Sequence, residues 1–152
     1  ALGVLASRGD ATAVASALDG LWHLDGGVRR VALRALSSLG NAGDDRVVAA
    51  VSACLGDADP QVRSGALQAL PDLVLQKDVG VVVEAAAGLL EGSDSRVKVT
   101  ALQALAAVSA PGHADAMRLV SEHLDDEERR VQQAARAAAR QMQSKAPARG
   151  AV

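Results

Sequence analysis

The stretch Asp59-Pro60-Gln61-Val62-Arg63-Ser64-Gly65-Ala66-Leu67-Gln68-Ala69-Leu70 decides the fold, because the chain repeats it. Its valine returns as Val28, Val97 and Val131, with steps of 34, 35 and 34 residues along the chain. An acid stands three residues before each valine (Asp25, Asp59, Asp94, Glu128), and Arg29, Arg63, Lys98 or Gln132 follows it. A fixed period of this length is the mark of a repeat solenoid. Stacked repeats make long surfaces for gripping partners rather than a single catalytic cleft.

Aligned on the valine, each unit resolves into two helices. Four residues on come Ala32, Ala66, Ala101 and Ala135; eight on, Leu36, Leu70, Leu105 and Ala139; eleven on, Leu39, Leu73, Val108 and Met142. Offsets of 0, 4, 8 and 11 lie on one face of a helix with about 3.6 residues per turn. Ahead of the valine, Leu21, Leu55, Leu90 and Leu124 keep the same spacing with Ala17, Val51, Ala86 and Val120, and with Val14, Val48, Val83 and Met117. The pattern predicts helix pairs over 11–24 with 26–39, 45–56 with 60–74, 79–91 with 95–109, and 114–125 with 127–143.

Local chemistry agrees. Asp25, Asp59 and Asp94 stand at N-cap positions, where a carboxylate accepts hydrogen bonds from orphan backbone amides. Pro60 sits at the first helical position, where its missing N–H costs nothing. Pro71 falls inside a predicted second helix and is expected to kink or shorten it near its end.

Composition narrows the function classes. The chain has 152 residues, no Phe or Tyr and one Trp, so Ala, Val and Leu must fill the core. Ala and Leu favour helix, and small side chains let helices approach closely. A formal charge of −2 and a pI near 5.9 argue against a nucleic-acid binder, which carries a basic stripe. One cysteine, Cys54, cannot form an internal disulfide. No apolar run reaches the ~20 residues that span a bilayer, so no membrane insertion is expected. A cytoplasmic or other reducing compartment is the resulting expectation.

The segments Val28-Arg29-Arg30-Val31-Ala32-Leu33-Arg34-Ala35-Leu36 and Val62 to Leu70, with Val97 to Leu105 close behind, resemble HEAT repeats, near the HEAT-like variant of phycobilisome lyases. The resemblance covers about residues 11–143. It implies a right-handed all-α solenoid of about four helix-pair repeats, starting mid-repeat, with second helices lining the concave surface. It also implies a structural ladder between neighbouring units, carried here by Asp25, Asp59 and Asp94 with Arg29, Arg63 and Lys98. The fourth unit departs from the pattern at Glu128, Gln132, Arg136 and Ala139, as a capping repeat with a polar outer face should.

Run backwards, the period puts the missing valine before residue 1, with Ala1, Leu2 and Leu5 on the Ala35, Leu36 and Leu39 positions. The chain is therefore expected to be part of a longer array or complex. The expected organisation is a repeat domain over 1–143, with units at about 11–39, 45–74, 79–109 and 114–143 preceded by a partial helix over 1–9. A disordered tail over 144–152 follows.

Candidate partner-binding residues lie two, three and six places after each valine. Among them are Arg30, Arg34, Ser64, Gln68, Val99, Gln103 and Gln133, which on second helices would form one polar row. Trp22 joins them because interface hot spots favour Trp; the blander alternative is that it folds over its own turn. The acidic run Asp125-Asp126-Glu127-Glu128 suits the positive end of a helix dipole better than a cation site. Arg8-Gly9-Asp10 reads as a turn, and His23, His113 and His123 lack metal-ligand spacing. No nucleophile motif or phosphate loop is present, so no catalytic residue, metal or cofactor is assigned. A non-enzymatic scaffold or complex subunit that binds a protein partner is the leading expectation. The alternative that the resemblance implies is a bilin lyase-like chromophore-handling subunit, against which the scarcity of aromatics counts. DNA handling of the kind done by HEAT-like glycosylases fits least, given the acidic balance.

Overall fold

A computed structural model of the chain describes residues 10–39 and 42–145. Among the described residues every regular element is helical. The α-helices are α1 (Ala11–Gly20), α2 (Gly26–Leu39), α3 (Asp45–Ala53), α4 (Pro60–Leu73), α5 (Val79–Leu90), α6 (Ser95–Val108), α7 (Ala114–Glu122) and α8 (Arg129–Ser144). Short 3-10 segments, Cys54–Gly56 and Gln76–Asp78, extend α3 and lead into α5. The partial helix expected over 1–9 lies outside the described residues, as do Gly40, Asn41 and residues 146–152.

Each odd-numbered helix packs on the even one that follows it, and the even helices then pack on one another in series from α2 to α8. Among the odd helices, α3 packs on α5 and α5 on α7. The result is an all-α solenoid of helix pairs. Its core is the periodic face itself. Val62, Ala66, Leu70 and Leu73 of α4 are buried against Val48, Val51 and Leu55 of the preceding segment and the Ala101 and Leu105 face of α6. Burying one such Leu or Val contributes about 1.5–3 kcal/mol. With no large aromatic to bridge gaps, the backbones must come close. A Cβ on Gly65 of α4 would stand 3.2 Å from Leu33 Cδ1 of α2, so glycine keeps that interface thin.

Turns between units carry the polar ties. Gly43 adopts φ +83°, a conformation that glycine enters without strain, and its N–H donates to the Leu73 carbonyl at 2.9 Å. Lys77 Nζ returns to the Gly43 carbonyl at 3.0 Å and to the buried Asp78 carboxylate at 3.0 Å. Burial pushes the Asp78 carboxyl up, but hydrogen bonds from Lys77 and the Leu75 amide outweigh it and hold it below the usual range.

Several local expectations need correction. The first helices end early: α1 stops at Gly20 and α7 at Glu122. After α1 the chain turns, and the carbonyls of His23 and Leu24 are drawn sideways onto Arg29 rather than continuing a helical ladder. Pro71 does not shorten α4, which runs to Leu73, the same position in its unit where α2 and α6 stop. It sits exposed in the last turn, where little of the helix remains to be kinked. Ser144 and Lys145, expected in the tail, belong to the stack: Ser144 closes α8 and Lys145 Nζ donates to the Ala106 and Ala107 carbonyls at the end of α6.

The fourth unit is looser on its outer side. Met117 is 39% exposed and Leu124 half-buried, where Val48, Val83, Leu55 and Leu90 are buried. Leu70→Ala should therefore destabilise the fold by about 3 kcal/mol, and Leu124→Ala by less than about 1.5 kcal/mol. Urea denaturation followed by circular dichroism measures both. Equal losses would contradict the graded core.

Candidate functional site

The second helices owe their orientation to a set of turn contacts that differs from the expected ladder. The Asp25, Asp59 and Asp94 carboxylates accept from the amides of Gly27 (2.6 Å), Gln61 (2.8 Å) and Arg96 (2.9 Å), capping their own helices. They are thereby committed and do not answer the arginines of neighbouring units. Arg29 instead makes a two-pronged contact with Asp57, from Nε and Nη2, each at 2.8 Å. Its Nη1 donates to the carbonyls of His23 and Leu24. One guanidinium thus closes its own turn and clamps the next unit. Such bidentate pairing fixes direction as well as distance.

Asp57 lies five residues before Val62, and the same position before Val131 is Asp126, which accepts from Lys98 Nζ at 3.4 Å. Before Val97 that position is Gly92. Arg63 is buried and donates to the carbonyls of Asp57 and Ala58, and no described acid pairs with it. The rung acids are therefore Asp57 and Asp126, and the joint between the second and third units lacks one. The two rungs, Arg29 to Asp57 and Lys98 to Asp126, both span 28 residues.

The Asp57 carboxyl feels burial, which raises its pKa. Hydrogen bonds from Arg29 and the Asp59 amide, with the charges of Arg29 and Arg63, overcome that and hold it below the usual range. A carboxyl lowered in the folded state adds stability above its unfolded pKa of about 4, and that stability is lost as pH falls through the folded value. Asp57→Asn should cost about 1–2 kcal/mol at about pH 7. The gap between variant and parent should close toward about pH 2. Chemical denaturation across that range reads it out, and a gap independent of pH would refute the rung.

On the face away from the α1, α3 and α5 layer, Arg30 and Arg34 of α2 and Ser64 and Gln68 of α4 line one groove of about 590 Å³. All four side chains are exposed. Leu33 and Gly65 also line it, and the close approach at Gly65 makes the floor. Ser37, Ser38 and Gln61 complete the polar wall and were not among the expected residues. Ser37 and Ser38 sit nine and ten residues after their valine and Gln61 one before its own, so extending the row by one helical turn in each direction reaches them. The remaining candidates lie further along. On α6, Gln103 is exposed and Val99 half-buried. On α8, Gln133 lines a second recess of about 530 Å³ with Arg136, Arg140 and Leu124.

Trp22 belongs to neither recess. It is 72% exposed, so it does not fold over its own turn to fill a gap. It borders a shallow hollow with Cys54 and the Arg29–Asp57 pair. Burial pushes the Cys54 thiol up to about 11, leaving little thiolate at neutral pH. The histidines serve local backbone: His23 Nδ1 accepts from the Asp25 amide, His113 Nδ1 caps α7 at Ala116, and His123 Nδ1 meets the Leu119 carbonyl. Among the described residues no group of three or more His, Cys, Asp or Glu could hold a metal ion, and no helix is long and apolar enough to cross a membrane.

No family model and no curated protein matches the chain. Solved structures do. An engineered protein determined in the crystal by the Northeast Structural Genomics Consortium is 25% identical, with a TM-score of 0.53 over 90% of this chain and 64% of that one. A designed armadillo repeat protein in complex with a (KR)4 peptide is 18% identical, with a TM-score of 0.54 over 88% of this chain and 65% of that one. The chain thus spans a little under two thirds of either. Both likenesses support a helical repeat solenoid fold.

Proposed function

We propose that the chain is a non-enzymatic scaffold or complex subunit that binds an extended segment of a protein partner along its second-helix face, and that its units are HEAT-like. The observation that carries this reading is the groove between α2 and α4, where Arg30, Arg34, Ser64 and Gln68 converge from two units. Serine, glutamine and arginine offer hydrogen bonds to a peptide main chain that has no fixed side-chain identity. The solenoid repeats that offer with each unit, at Gln103 on α6 and Gln133 on α8. The similar designed armadillo protein holds a peptide, which adds support for this use of the fold. The repeat domain is read as four units, at about 11–39, 45–74, 79–109 and 114–143.

A random-peptide display selection on the immobilised chain tests the proposal. Selected peptides should lose most of their binding to the triple variant Arg34→Glu, Gln68→Glu, Gln103→Glu, while a control changed on the first-helix side, Glu84→Gln with Asp115→Asn, should retain it. Undiminished binding to the triple variant would reject the second-helix face.

A further inference from the structure

Charge is sorted between the two layers. The even-numbered helices hold ten Arg or Lys residues and one acid, Asp72, in a chain with 16 basic and 18 acidic residues. The remaining acids stand on the odd helices, in the turns and at the helix caps. An overall charge of −2 therefore conceals cationic second helices edged by acidic turns.

Three of the ten, Arg29, Arg63 and Lys98, are turned into the ladder. Arg96 pairs with its own cap, Asp94, at 3.1 Å, and Arg136 lies 3.9 Å from Asp125. Arg30, Arg34, Arg129, Arg130 and Arg140 are exposed, and none forms an ion pair with a described acid. Two of these five, Arg30 and Arg34, wall the groove, which no carboxylate lines. Packing two like charges on one groove wall without a counter-charge disfavours the empty state and rewards an anionic occupant.

Resting on the proposed scaffold role, we infer that the second-helix groove takes an acidic peptide, with Asp or Glu side chains on Arg30 and Arg34 and the peptide main chain on Ser64 and Gln68. Arginine forks suit carboxylates geometrically, and their planar donors keep a segment in register. A nucleic acid is disfavoured because the groove has no aromatic to stack a base, and because the acid-rich turns would repel phosphates running past its ends. The groove's charge is opposite to what the (KR)4 peptide of the similar designed protein would need.

Fluorescence anisotropy with a labelled octapeptide of alternating Asp and Glu tests the inference, against a Lys-Arg octapeptide and an oligothymidylate of equal charge. The acidic peptide should bind at least about tenfold more tightly than either control. Its affinity should fall as ionic strength rises from about 0.05 M to about 0.5 M, which shortens the screening length several-fold. Arg30→Gln with Arg34→Gln should weaken it about tenfold, with the melting temperature unchanged. Preference for oligothymidylate would overturn the inference in favour of nucleic acid. Concentration-dependent self-association that the same double variant abolishes would overturn it in favour of a second copy of the chain. If displayed peptides are poor in acids yet still depend on Arg34, Gln68 and Gln103, the scaffold reading stands and the acidic partner falls. If no peptide depends on that face, both fall.

Discussion

No helix pair in this chain can bury its apolar stripe alone. With Ala, Val and Leu as the filling and no Phe or Tyr, a single pair lacks the volume to make a closed core. Each unit must lend one side to the unit before and one to the unit after, and stability becomes a sum of neighbour interfaces. The interior positions follow from this. Leu36, Leu70 and Leu105 are wholly buried because they stand between units. Ala139 of the same series, with Met117 and Leu124 of the first-helix series, stands at the end of the described stack and is not.

That dependence explains why the polar contacts concentrate in the turns. An interface of small apolar side chains is slippery, since Ala against Leu tolerates a shift in register. The Arg29–Asp57 clamp, with both nitrogens at 2.8 Å and the rest of the guanidinium on its own turn, removes that freedom at one joint. Lys98 with Asp126 does so at another, and less strictly, because an ammonium is a point charge without a fork. Using acids this way draws them toward the turns, which leaves the second-helix face to the arginines. The cationic second-helix face and the fixed register are thus two results of one allocation of charge.

The period made most of the architecture legible. Helix pairing, the N-cap aspartates and most of the buried faces follow from residues that repeat at fixed offsets, because periodicity reports on which side of a helix meets the core. The marker valine is the exception, buried as Val62 and Val131 but 39% exposed as Val28 and half-buried as Val97. The lengths of the first helices were less legible: after α1 the His23 and Leu24 carbonyls accept from Arg29, a local side-chain contact on which the apolar period does not report. The ladder acids were misplaced for a related reason. A cap and a rung compete for the same carboxylate, and sequence spacing alone does not say that Asp59 serves the first and Asp57 the second. The groove was partly legible: the polar row predicted Arg30, Arg34, Ser64 and Gln68, but their convergence depends on the close approach of α2 and α4 at Gly65.

The exposed Trp22 has an optical consequence. It is the only strong near-ultraviolet chromophore in the chain, and it sits in water at one end of the described stack. Emission from this protein reports the turn between α1 and α2 rather than the core, while far-ultraviolet ellipticity weighs every helix. In a stack whose units melt by neighbour coupling, the two signals need not coincide. Their separation measures how far the first unit frays ahead of the rest, a built-in end-label that needs no added dye.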